Sequence, residues 1–253
     1  KLRFINSKDR KDVKVRIITR GPSYNDNWKH AGDMAGIVFG SQYMDVDIGF
    51  TTNTTQNNTG FISRISTIHQ EFNGYGELYS LNYSAPKLSY TMLNSDTKYS
   101  DLSRLYNEIK SEFENLSNNS ITESELEQAK AMRINYYKTR LDDPEKFSHF
   151  IQDNYNNNGF SLNTISTLEE EINQVTLNEA NIAAAKIFDP NNFVMVVIGN
   201  KDSCSTFLEQ FKEIEYYDQF EELDHQPKRF FLRPYIVMSL ALILPILPVL
   251  LIL

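Results

Sequence analysis

The stretch Val175–Gly199, VTLNEANIAAAKIFDPNNFVMVVIG, contains a complete helix-to-strand unit and decides the fold class. Thr176 and Glu179 have the spacing of a capping box, which marks the start of a helix. The alanine-rich helix that follows ends before Pro190, because proline cannot continue a helix. The residues from Phe193 onward are almost all apolar, which favours a strand inside a sheet.

The rest of the chain shows strand and helix patterns of the same kinds. Val13–Arg20 (VKVRIITR) alternates and is rich in β-branched residues, so it predicts a strand. Periodicity predicts further helices over 27–39, 61–72 and 102–116, and further strands over 77–84 and 87–93. Thr122–Glu125 and Thr167–Glu170 are two more capping-box patterns. Together these segments predict an α+β fold, with a helical layer on one face of a mixed sheet.

The last 19 residues, Tyr235–Leu253, carry no charge and predict a transmembrane helix. At about 1.5 Å per residue, such a helix spans roughly the hydrocarbon core of a bilayer. The alternative is a buried C-terminal core helix. Basic and aromatic residues of the kind found at a membrane interface lie at its start: Lys228, Arg229, Phe230, Phe231, Arg233 and Tyr235. This positive flank predicts that the globular part lies on the inner side, in the bacterial cytoplasm or the mitochondrial matrix.

Four parts are expected along the chain. Residues 1–11 are a lead-in, 12–220 the α+β domain, 221–234 a basic and aromatic linker, and 235–253 the membrane anchor. The first residues include neither an initiator methionine nor an apolar signal run, so we expect the chain to begin in the middle of a longer protein.

Charge and residue usage exclude several function classes. The net charge of −8 argues against a nucleic-acid partner, because phosphate binding needs a basic face. A single cysteine, Cys204, excludes an intrachain disulfide. The four histidines stand in no metal-ligand spacing: His30, His69, His149 and His225. We therefore predict no catalytic residue, no metal site and no cofactor.

A set of residues in a fixed order points to a known family. The matching residues are Thr122, Glu125, Leu126, Ala129, Lys130, Val175, Thr176, Pro190, Asn192 and Gly199. In this order, the segment from Ile121 to Asn200 resembles the C-terminal domain of the insulinase/pitrilysin metallopeptidase family. Upstream similarities extend the resemblance over roughly Val13 to Phe211: Arg20–Tyr24 before a helix ending at Gly40, and Ser63-Arg64-Ile65 followed by Tyr79-Ser80.

A polar insertion, Ser41–Gly60, is predicted to be a long loop, since it is rich in Thr and Asn and has no periodicity. Its position is similar to that of the glycine-rich, presequence-handling loop in α-type subunits of mitochondrial processing peptidase. This group includes core subunits of respiratory complex III. The resemblance makes Gly40, Gly49 and Gly60 candidate substrate-binding residues.

Arg64 and Tyr79 are the nearest matches to an arginine and a tyrosine that bind the substrate backbone in catalytic members of the family. The alternatives are an ion pair on a helix surface for Arg64 and packing within the sheet for Tyr79. Active members bind zinc through a His-x-x-Glu-His motif, which this chain lacks.

The resemblance implies a non-catalytic core subunit of complex III, anchored in the mitochondrial inner membrane and facing the matrix. The partners expected from it are a paralogous insulinase-family subunit of the β or core 1 type, other complex III subunits and membrane lipid. One alternative is the presequence-binding α subunit of an active processing peptidase, paired with a zinc-bearing β subunit. Another is a membrane-tethered bacterial insulinase-like domain with an unknown partner.

Overall fold

The computed structural model describes residues 1–23, 25–43, 63–72, 75–84, 89–148, 150–151 and 162–218. The strands are β1 Leu2–Asn6, β2 Val13–Arg20, β3 Ser41–Tyr43, β4 Leu78–Ser84, β5 Ser89–Thr97, β6 Val194–Gly199 and β7 Ile214–Asp218. The helices are α1 Lys29–Phe39, α2 Arg64–Glu71, α3 Leu102–Ser117, α4 Glu123–Leu141, α5 Leu162–Asn173, α6 Leu177–Ile187 and α7 Ser205–Leu208, and residues 144–148 are also helical.

The seven strands form one mixed sheet in the order β3-β4-β5-β2-β6-β1-β7. Strand β2 is antiparallel to β5 and β6, whereas β1 is parallel to β6 and β3 is parallel to β4. The predicted α+β fold with a mixed sheet is therefore confirmed. The apolar strand β6 lies inside the sheet, between β2 and β1, as its sequence predicts.

Alternation along β2 explains why the helices cover one face of the sheet. Val13, Val15 and Ile17 are buried, while the intervening residues are partly or fully exposed on the opposite face. Burying such a side chain contributes roughly 1.5–3 kcal/mol, so the apolar face drives the packing of the sheet against the helices.

Helix α1 is the centre of the helical layer, and every residue from Ala31 to Phe39 is buried. The Phe39 ring lies 4.7 Å from that of Phe188 on one side and 5.6 Å from that of Phe113 on another. On the sheet side, a Cβ on Gly36 would lie 2.1 Å from the side-chain amide of Asn82. A side chain at this position would displace the Asn82 amide, so glycine lets α1 approach the sheet closely.

Two of the three predicted capping boxes are confirmed. Thr122 with Glu125 caps α4, and Thr176 with Glu179 caps α6, with both reciprocal hydrogen bonds present in each. The prediction at Thr167 is wrong, because α5 has already begun at Leu162. The pattern therefore lies within a helix, where the Thr167 hydroxyl donates to the Glu171 carboxylate.

Residues 1–11, predicted to be a lead-in, require a correction. Leu2–Asn6 forms strand β1, whose alternate apolar residues Leu2 and Phe4 are buried in the core. The backbone N–H of Met195 donates to the carbonyl of Lys1, which extends the pairing of β1 with β6. Burial of this alternating pattern makes the segment part of the domain.

Lys1–Tyr216 forms one compact unit, and the second unit, Tyr217–Leu253, lies almost wholly outside the described residues. The predicted anchor 235–253 belongs to that part. So do the predicted interface residues Lys228, Arg229, Phe230, Phe231, Arg233 and Tyr235. Within the part of the chain that the structure describes, no helix has the length and apolar character needed to cross a bilayer.

Candidate functional site

Gly40 precedes the segment Ser41–Gly60, whose first residues, Ser41–Tyr43, form strand β3 and not the start of a long loop, because they pair with β4. Gly40 follows α1 as its C-terminal cap with φ at 119°, a left-handed conformation that favours glycine. A Cβ at this position would lie 2.2 Å from Cγ2 of Ile65 and 2.7 Å from Oγ of Ser63. The residues that flank the insertion are therefore in contact. Gly49 and Gly60 lie outside the described residues.

Arg64 is the first residue of α2, shortly after the insertion, and its side chain contacts two other helices. Its Nε and Nη2 donate to the Glu125 carboxylate at 2.9 and 3.0 Å, and its Nη1 donates to Glu112 at 2.7 Å. Ser120 accepts twice at 2.8 Å, through its hydroxyl and its carbonyl oxygen. We call this set (Arg64, Glu112, Ser120 and Glu125) the Arg64 hub.

The hub uses every donor that a guanidinium has, since arginine carries five N–H groups and five hydrogen bonds are present. Burial disfavours the charged form, but the hydrogen bonds to Glu125 and Glu112 outweigh it and raise the pKa of Arg64. Burial also acts on Glu125, yet Arg64 and Thr122 hold the pKa of this carboxyl below its ordinary value. Arg64 therefore makes ion pairs with Glu112 and Glu125, while its substrate-binding role stays a prediction. A substrate carbonyl would have to displace an existing partner.

Tyr79 lies on the other face of the sheet from the hub. On β4, Ser80 and Asn82 are buried towards the helices, so the alternation turns Tyr79 to the opposite face. There it stands opposite Asn94 of β5. Burial, and then the charge of Glu77, raise the pKa of the Tyr79 hydroxyl. The sheet therefore separates Arg64 from Tyr79, and a shared substrate-binding role for them remains a prediction.

A buried ionic cluster lies deeper in the helical layer, where the sequence analysis predicted nothing. The carboxylate of Asp33 on α1 contacts Nζ of Lys29 at 2.8 Å and Nη2 of Arg133 on α4 at 3.4 Å. Burial would raise the pKa of Asp33, but the two cations outweigh it and the pKa is lowered. We call Lys29, Asp33 and Arg133 the Asp33 network. Only the i, i+4 spacing of Lys29 and Asp33 is visible in the sequence.

A cleft of about 620 Å³ opens where the start of α1 meets α5 and α6. On its wall, Nε2 of His30 lies 3.0 Å from the Glu171 carboxylate. Burial, and then the charge of Lys29, lower the pKa of His30, so the imidazole is neutral at pH 7. Trp28 lines the same cleft. We call this feature the Trp28 cleft.

The described side chains of the types that can ligate a metal do not cluster. Among the described residues, no three of His, Cys, Asp and Glu come together as a metal site. His69 faces the carbonyl oxygen of Gly76 at 3.2 Å, while His149 and His225 lie outside the described residues. Burial raises the pKa of the Cys204 thiol to about 11, so it is not a thiolate nucleophile at neutral pH.

Comparison with known proteins gives matches in structure only. No protein-family model and no curated protein matches the chain. The peptidase M16 inactive domain from Pseudomonas fluorescens superimposes with a TM-score of 0.62 at 14% identity, covering 79% of this chain and 43% of that one. A chain of complex III2 from Candida albicans, with Inz-5 bound, gives 0.58 at 18% identity, covering 80% and 46%.

A third match differs in how much of the other chain it spans. It is the inactive peptidase domain of a Bordetella parapertussis protein, with a TM-score of 0.56, 13% identity, and coverage of 74% of this chain and 91% of that one. By contrast, the present chain spans less than half the length of the Pseudomonas and Candida chains. The described residues therefore form a domain with the insulinase-like fold of peptidase M16 proteins.

Proposed function

We propose that the chain is a non-catalytic core subunit of mitochondrial respiratory complex III, anchored in the inner membrane and facing the matrix. The observation that carries this proposal is the fold, which the chain shares with a chain of Candida albicans complex III and with M16 domains described as inactive. The absence of a His-x-x-Glu-His motif from the sequence supports a role without zinc catalysis.

The Arg64 hub also supports a structural role. An arginine that binds substrate needs free donors, whereas here Glu112, Glu125 and Ser120 take all five. The hub thereby fixes α2 to α3 and α4. A rigid helical layer suits a subunit whose task is to present a stable surface to its neighbours.

The uncharged segment Tyr235–Leu253 would anchor the subunit, with its basic flank on the matrix side. The proposed partners are a paralogous subunit of the same fold, other complex III subunits and membrane lipid. Contacts with such partners would help to hold the domain beside the bilayer.

The decisive experiment is native-gel separation of gently solubilised membranes, probed for this chain and for haem b. Co-migration with the haem-containing complex supports the proposal. Deletion of residues 235–253 should then reduce the amount of assembled complex, and a shorter deletion within the insertion, 51–59, serves as the control. Migration without haem b would overturn the proposal.

The second candidate is the presequence-binding α subunit of an active processing peptidase. It is favoured by the contact between Gly40 and Ser63, which holds together the two residues that flank the insertion. Replacing residues 51–59 by alanine should then raise the KM of the heterodimer with a zinc-bearing β subunit, without changing kcat. An unchanged KM would leave only the structural role.

A further inference from the structure

The Trp28 cleft combines an aromatic wall with acidic side chains, and no role described so far uses it. Its lining includes Trp28, His30, Glu171, Glu179, Ile182 and Lys186. A volume of about 620 Å³ lies within the range of small-molecule sites, which is roughly 300–1,000 Å³.

The Trp28 ring already binds an ammonium group. The Nζ atom of Lys186, on α6, lies 4.9 Å from the ring centroid, within the distance of a cation–π interaction. Among the described residues, Lys186 has no carboxylate within ion-pair distance. The ring is therefore the main feature that holds this ammonium in place.

The charges around the ring favour a second cation. Asp26, Glu171 and Glu179 contribute three carboxylates to the lining. Two ammonium groups, those of Lys29 and Lys186, also line the cleft, and that of Lys29 lies 2.8 Å from the buried carboxylate of Asp33. Three carboxylates therefore face two ammonium groups, which leaves the lining with a net negative charge.

The carboxylates keep acceptor capacity for a ligand. Glu171 accepts from Thr167 and faces His30, and Glu179 accepts from the backbone and hydroxyl of Thr176. Because an ionised carboxylate has about four lone-pair positions, each can accept further hydrogen bonds. Ile182, whose surface is 47% exposed, adds an apolar contact for an alkyl chain.

We propose that the Trp28 cleft binds an alkylammonium ligand, with its cation on the Trp28 ring and its further donors on Glu171 and Glu179. Lys186 is the internal competitor of this ligand. An anionic ligand is disfavoured, because it would face three carboxylates. The site is independent of the role in complex III.

The experiment uses a property of the sequence: Trp28 is the single tryptophan of the chain. Tryptophan emission of the full chain in detergent therefore reports on this cleft alone. We expect titration with spermidine to change the emission in a saturable way. In Lys186→Gln, which removes the competitor, spermidine should bind about threefold more tightly or better.

The matched control is Lys201→Gln. The Nζ atom of Lys201 lies at the same distance, 4.9 Å, from the centroid of another ring, that of Tyr216. This substitution removes the same charge from the chain but leaves the cleft intact, so spermidine affinity should stay at the wild-type value. Equal tightening in both variants would reveal a general charge effect and overturn the proposal.

A third variant tests the carboxylates. Glu179→Gln keeps a residue that can complete the capping box but removes its charge, and we expect it to weaken spermidine binding about threefold. Replacing spermidine by the peptide acetyl-Gly-Lys-Gly-amide distinguishes a free amine from a lysine side chain as the source of the ammonium. Tighter binding of spermidine or of the peptide supports the site and identifies the source of the ammonium group.

The proposal is overturned if neither wild type nor Lys186→Gln gives a saturable response to either probe at up to about 10 mM. It is also overturned if Lys186→Gln binds spermidine more weakly than wild type, since Lys186 would then be part of the site and not its competitor.

Discussion

The Arg64 hub and the Asp33 network are both ionic clusters in the helical layer, yet they differ in depth and in completeness. In the hub, a guanidinium with a side chain 17% exposed finds five hydrogen bonds. In the network, Asp33 is 1% exposed and contacts two cations, and its second oxygen accepts no hydrogen bond among the described residues.

We infer from this difference that the buried, less complete cluster is the more sensitive of the two to the loss of a partner. Water can reach the rim of the Arg64 hub and replace a lost partner. Water cannot easily reach Asp33, so loss of its carboxylate leaves two cations in a medium that solvates charge poorly. We therefore expect stability to depend more on the deep, incomplete network than on the shallow, saturated hub.

The largest effect is expected from Asp33→Ala. Because it leaves the ammonium of Lys29 and the buried guanidinium of Arg133 without their shared carboxylate, it should lower the free energy of unfolding by about 3 kcal/mol or more. Urea denaturation followed by circular dichroism measures this loss. The control, Asp202→Ala, removes an exposed carboxylate and should change it by less than about 0.5 kcal/mol. A loss below about 1 kcal/mol for Asp33→Ala would show that the network is solvated.

The hub is tested by the substitution Arg64→Lys. An ammonium keeps the charge but cannot reproduce the fork that binds Glu125, Glu112 and Ser120 together, so we expect a loss of about 1–2 kcal/mol. Arg104→Lys is the control, because that side chain is 54% exposed and should tolerate the change. The same urea titration applies. Equal stability of wild type and Arg64→Lys would show that the hub contributes no more to the free energy of unfolding than a surface ion pair.

Gly40→Ala tests whether the contact of Gly40 with Ser63 and Ile65, on either side of the insertion, is rigid. The left-handed φ and the 2.2 Å approach to Ile65 should together destabilise the fold by about 1–3 kcal/mol. Gly199→Ala is the comparison, because its Cβ would meet its nearest neighbour, Sγ of Cys204, at 3.2 Å. Thermal unfolding should show the larger shift for Gly40→Ala. The reverse order would mean that the chain around Gly40 relaxes.

The smallest effect concerns pH and His30. Burial lowers the pKa of His30 in the folded state, so the unfolded chain binds this proton more readily and stability falls as pH drops below about 6.5. The lowered pKa values of Asp33 and Glu125 add losses only as pH falls below about 4.5. Between about pH 7.5 and 5.5, wild type should therefore lose up to about 1 kcal/mol more than His30→Gln. Parallel curves would show that His30 titrates as in the unfolded chain.

Several parts of the fold followed from local sequence. The capping boxes at Thr122 and Thr176 and the strand patterns of β2 and β6 need only neighbours a few residues away. The capping pattern at Thr167 misled for the same reason, because the local motif does not reveal that the helix has already begun. Strand β1 was missed because a short segment at the start of the chain becomes a strand only by pairing with β6.

For the candidate site, the sequence identified candidate residues, and the tertiary structure determined which contacts their side chains make. Arg64 and Tyr79 were grouped by resemblance, but the sheet lies between them, and side-chain direction on a strand depends on which face packs. The Asp33 network and the Trp28 cleft were not predicted, because each joins helices far apart in sequence.

The sequence by itself determined the α+β class, the starts of α4 and α6, the central apolar strand and the lack of the zinc motif, since all of these depend on local patterns and composition. The tertiary structure alone decided that the donors of Arg64 are fully used, that Asp33 lies buried between two cations and that Lys186 sits over Trp28. Each of these depends on contacts between separate elements, and contact geometry arises only when the helical layer packs on the sheet.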